Sequence, residues 1–80
     1  MPTVLRADGL RVVIWPNDHA PPHVHVFSAE AQATIELSDA GQHPRLRENL
    51  RMKPAVLAKA LQVVFDHHAM LMQRWREIHG

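Results

Sequence analysis

Residues 31–37, Ala-Gln-Ala-Thr-Ile-Glu-Leu, alternate apolar and polar side chains without interruption. Successive side chains of a β-strand point to opposite faces, so Ala31, Ala33, Ile35 and Leu37 line one face while Gln32, Thr34 and Glu36 line the other. A sheet patterned this way buries one face and needs one covering layer. Just upstream, residues 23–27 (His-Val-His-Val-Phe) are β-prone, and the turn-forming stretch at 28–30 joins the two segments as a strand pair. Further back, Leu10 to Trp15 is a β-branched and aromatic run closed by Pro16, and Ala7-Asp8-Gly9 turns it onto the short segment Thr3 to Arg6. About four antiparallel strands are expected within residues 3–37.

The covering layer lies C-terminal to them. Pro54 suits the first turn of a helix, and no proline or glycine interrupts residues 55–78. At about 100° per residue, Leu57, Leu61, Val64, His68, Leu71, Met72 and Trp75 fall in one stripe, which predicts one long helix over about 54–78. Between sheet and helix, Gly41 and Pro44 break the pattern. Residues 38–53 are therefore read as a connection, with Arg45 to Leu50 its only β-prone passage. The expected fold class is α+β: a small antiparallel sheet of about four strands followed by one C-terminal helix packed on it.

Eighty residues with 46% hydrophobic content and no cysteine describe a single domain, 1–80, and exclude a two-domain enzyme. Without disulfides to staple so small a core, a reducing, cytoplasmic setting is expected. Met1 to Arg6 lacks the basic and apolar segments of a secretory leader, and no run of eighteen apolar residues exists, so no membrane association is expected. The net charge of +1 neither demands nor excludes a polyanionic partner. Seven histidines make that charge strongly dependent on pH.

Three of the histidines sit in residues 17–26, Asn-Asp-His-Ala-Pro-Pro-His-Val-His-Val. This string, the opening Met-Pro-Thr-Val-Leu-Arg, and the helix pattern of His67, Leu71, Met72 and Trp75 together resemble the bacterial family called domain of unknown function 4160. That family's string resembles N-(D/E)-H-x-P-P-H-(V/I)-H-V. The resemblance implies a small prokaryotic protein, often encoded beside another small protein that would be its partner, and belonging to a toxin–antitoxin-like module. It brings no reaction with it.

The residues themselves suggest three chemistries. His23 and His25 share one strand face with Cα atoms roughly 6.5–7 Å apart, opposite Val24 and Val26, the better core candidates. His19 can fold back from the proline-stiffened loop, so that three imidazoles converge as ligands for zinc or another transition metal. Alternatively, no cofactor is required. His23 and His25 would then act as acid and base in RNA cleavage, His19 would orient one of them, and Arg45, Arg47, Arg51 and Lys53 would hold phosphate. His67, on the helix, is a further candidate for the same site. In the third reading the histidines are polar residues on an exposed sheet face, and Asn17-Asp18 with His19 braces the proline turn. The protein would then be a non-catalytic module that binds protein through an open sheet edge, or a DNA-binding regulator. Trp15 and Trp75 read as core. A homodimer suits so small a domain with open sheet edges.

Overall fold

The computed structural model describes residues 2–37 and 43–80. Five strands form one antiparallel sheet in the order of the chain: β1 (Thr3–Ala7), β2 (Leu10–Val13), β3 (His23–Phe27), β4 (Gln32–Glu36) and β5 (Arg45–Leu50). Two helices follow, α1 (Pro54–Asp66) and α2 (His68–His79). The α+β architecture is as the alternation implies, and β1 and β2 are joined by a two-residue turn. Asp8 (φ 54°) and Gly9 (φ 76°) occupy the left-handed region that such a hairpin requires.

Alternation then decides what is buried. Val12, Val24, Val26, Ala33 and Ile35 project from one face of the sheet into a core closed by Ala60, Val63 and Val64 of α1 and by Leu71, Met72 and Trp75 of α2. Trp15, expected in this core, lies instead at the surface after the end of β2.

Two elements differ from the sequence expectation. Residues 45–50, read as connection, form β5, an edge strand with all six residues exposed. Exposure on both faces removes the selection for alternating apolar residues, which is why the pattern there is faint. The remainder of the expected connection, residues 38–42, lies outside the described residues.

The single helix expected over 54–78 is broken at His67 (φ −113°, ψ 20°). There the His67 backbone N–H and its Nδ1–H both donate to the Val63 carbonyl, at 3.1 and 2.9 Å. The imidazole thus takes up a helical acceptor while the chain turns into α2.

The passage from β5 into α1 is tight. Arg51 adopts φ 74°, unfavourable for a residue with a Cβ, and the Asn49 side chain spans the bend. Its Oδ1 accepts the Met52 N–H (2.9 Å) and its Nδ2 donates to the Met52 carbonyl (3.1 Å). Asn49→Ala leaves both Met52 groups without these partners and is expected to lower unfolding free energy by about 1–3 kcal/mol in urea denaturation.

Candidate functional site

Because Val24 and Val26 face the helices, His23 and His25 occupy the other face of β3. The strand register builds two rows across that face. One runs Val13, His25, Thr34 and Glu48; the other, at the end of the sheet, runs His23, Glu36 and Arg45. The histidines are not the freely exposed pair that the sequence allowed. His23 is buried and His25 half-buried, because the loop between β2 and β3 reaches over this end of the sheet.

Asp18 joins the loop to the strand. Its backbone N–H donates to the Trp15 carbonyl (3.1 Å), and its Oδ2 accepts the Trp15 N–H (3.1 Å), closing a turn. The same Oδ2 lies 3.3 Å from His25 Nε2 and 3.6 Å from His23 Nε2. The Ala20–Pro21 peptide bond in this loop is cis.

Each imidazole is held from behind. His23 Nδ1–H donates to the Pro21 carbonyl (2.9 Å), so its Nε2 is the atom presented to Asp18. His25 Nδ1 lies 3.4 Å from Thr34 Oγ1, and its Nε2 faces the Asp18 carboxylate. A hydroxyl both donates and accepts, so Thr34 supports either neutral tautomer of His25. The two rings meet edge to face at 5.2 Å, and the His23 ring also touches Trp75 of α2, with centroids 5.3 Å apart.

In neutral His23, the Nε2 lone pair faces a carboxylate oxygen that is also rich in lone pairs. A proton or a metal ion between them removes the conflict. Asp18, His23 and His25 each offer one ligand atom, all within 4.8 Å of one another, and so form a cluster that can hold a metal. The side chains of His23, Asp18 and His25 are 7%, 14% and 19% exposed, so the cluster is sheltered yet reachable from solvent.

A cleft of about 540 Å³ adjoins the cluster through Asp18. The loop residues His19, Ala20 and Pro22 form one wall, and Met72, Trp75, Arg76 and His79 of α2 form the other. The imidazole of His79 lies against the Trp75 ring at 3.9 Å. The cleft therefore gathers a guanidinium and two imidazoles beside a carboxylate.

The residues singled out by sequence are thus divided. His23 and His25 are brought together, with Asp18 as the third member instead of His19. His19 is exposed on the wall of the cleft. His67 serves the helix break, with its Nδ1–H committed to Val63, and is not a member of the cluster.

Arg45 and Arg47 lie on β5 at the same end of the sheet as His23. Arg45 is two strand spacings away, roughly 10 Å, and Arg47 Nε is 3.8 Å from Glu36. Arg51 and Lys53 follow the opposite end of β5, beyond Leu50, which pairs with Gln32 and so lies near Phe27. In sequence Asp18 reads only as a turn former, and Arg76 lies off the apolar stripe of the helix.

The family model described as Domain of unknown function (DUF4160) matches residues 9–76 of this geometry's chain. The chain belongs to this family. The match includes all of the Asp18, His23 and His25 cluster and most of the cleft, leaving out only His79 and Gly80. No curated protein and no solved structure matches the chain. Among the described residues of this DUF4160 protein, no helix is long and apolar enough to cross a membrane.

The two roles of Asp18 can be separated. Asp18→Asn retains an acceptor for the Trp15 N–H, whereas Asp18→Ala leaves that N–H without it. Because this bond is exposed, urea denaturation is expected to show a loss of about 0.5–1.5 kcal/mol for the alanine variant and a smaller loss for the asparagine variant.

Proposed function

We propose that this DUF4160 protein works through Asp18, His23 and His25 as a single site for a divalent transition metal, zinc being the ion best suited to two imidazoles and a carboxylate. One observation carries the reading: both Nε2 atoms converge on one carboxylate while both Nδ1 atoms are engaged behind them. Partners of this kind orient histidine ligands in metal centres and set which nitrogen donates. Three protein ligands leave coordination positions for water or substrate, and the adjoining cleft with Arg76 favours an anionic one.

Untagged protein is expected to take up one zinc ion per chain by calorimetry, with His23→Ala/His25→Ala abolishing uptake. Affinity should fall as pH is lowered, because protons compete for the same Nε2 lone pairs. No uptake by the parent protein, or equal uptake by the double variant, would overturn the assignment.

A second reading is supported by the same cluster without a metal. His25 Nε2–H donating to Asp18, and His23 with Nε2 as its free ring nitrogen, supply an acid–base pair for cleavage of RNA, and Arg76 or the nearby Arg45 and Arg47 supply phosphate contacts. The protein would then be the RNA-directed member of a bacterial toxin–antitoxin-like pair, acting in the cytoplasm with a small protein encoded nearby. Cleavage of a single-stranded RNA that persists in EDTA and is lost in either histidine-to-alanine variant supports this reading over the first. No cleavage under any metal condition removes it.

A further inference from the structure

β5 is the last strand of the sheet, and among the described residues none pairs with its outer edge. An unpaired edge is normally blunted by charge, and Arg45, Arg47 and Glu48 look at first like such a defence. Their order has another consequence. The register of β4 on β5 skips Arg47, with Thr34 pairing Glu48 and Ile35 pairing Leu46, so that Arg47, 3.8 Å from Glu36, and Glu48 project from the same face. If two copies of β5 pair antiparallel about a two-fold axis between these two residues, Arg47 of each copy faces Glu48 of the other. Leu46 then faces Asn49, and Arg45 faces Leu50, whose exposed surface the aliphatic stem of the arginine can cover. The sequence Arg-Leu-Arg-Glu-Asn-Leu is thus self-complementary in charge in one register.

The distribution of exposed apolar surface follows the same edge. Four large hydrophobic residues among those described are exposed, and three belong to this side of the molecule: Leu46 (43%) and Leu50 (44%) on β5, and Phe65 (43%) on α1. Phe65 stacks on His43 at 5.3 Å and lines a groove of about 390 Å³ with Pro44 and Leu61, beside the start of β5. Leu46 shares the helix-covered face with Ile35, whereas Leu50 lies with Gln32 on the other, so pairing at the edge would shelter apolar surface on both sides of the sheet.

From the charge order and this apolar margin we propose that β5 is a homodimer interface, its occupant the β5 strand of a second copy, giving a continuous ten-stranded sheet. The interface includes none of Asp18, His23 and His25 and does not depend on what they bind, but it engages Arg45 and Arg47, leaving Arg76 as the phosphate contact in the RNA reading.

Sedimentation equilibrium of the full chain tests it. The parent protein is expected to be a dimer. Glu48→Arg replaces both Arg–Glu facings with Arg–Arg and should raise the dimer dissociation constant at least tenfold, with circular dichroism unchanged. The double exchange Arg47→Glu/Glu48→Arg restores opposite charges across the axis and should recover dimerisation. A monomeric parent protein overturns the proposal. So does a dimer indifferent to Glu48→Arg, or a parent that is monomeric alone and uses this edge only for a different protein. Should Glu48→Arg lose its fold, recovery of dimer by the folded double exchange still supports the interface, and its failure to dimerise overturns it.

Discussion

Val24 and Val26 can reach the helices only if His23 and His25 take the other side of the sheet. The pleat of one five-residue strand therefore fixes both the centre of the core and the location of the histidines. Moving the register of β3 by one residue would bury imidazoles against Val64 and Leu71 and turn valines out, a cost no local adjustment offsets. The position of the site is in this sense a by-product of packing, and it is as firmly held as the core itself.

What packing leaves undecided is how the imidazoles are partnered, and there the loop between β2 and β3 takes over. Asp18 uses one oxygen both to close the turn with Trp15 and to meet the two Nε2 atoms, so folding of the loop and assembly of the cluster are one event. Trp75 ties the arrangement to α2 through His23. The last helix begins just after the break at His67, and it supplies the second wall of the cleft.

Much of this could be read from the residues. The alternation over 31–37 and the valines of 23–27 specify a one-sided sheet, and the uninterrupted helical composition after Pro54 specifies its cover. β5 was faint because a strand exposed on both faces keeps no apolar period. The break at His67 involves neither glycine nor proline and rests on a side-chain hydrogen bond that composition does not encode. That His23 and His25 share one sheet face follows from their spacing on the strand. The place of Asp18 beside them does not, since an aspartate before a proline-rich turn reads as a turn former, and its second contact depends on the path of the loop through space. His19, its neighbour in sequence, lies instead on the wall of the cleft, and Arg76 reads in sequence as an ordinary solvated charge.

The hydroxyl of Thr34 gives this end of the sheet a property that the rings alone would lack. It sits behind His25 at a distance that serves it as donor or as acceptor, and exchanging those roles requires only rotation about a C–O bond. Motions of that kind are complete within nanoseconds. Asp18 selects between the two arrangements: only with Thr34 donating to Nδ1 does His25 keep its Nε2–H for the carboxylate, and reaching that arrangement demands no displacement of the backbone. The hydroxyl thus follows whichever hydrogen-bonding role the ring nitrogen presents while the heavy atoms around it stay where packing put them.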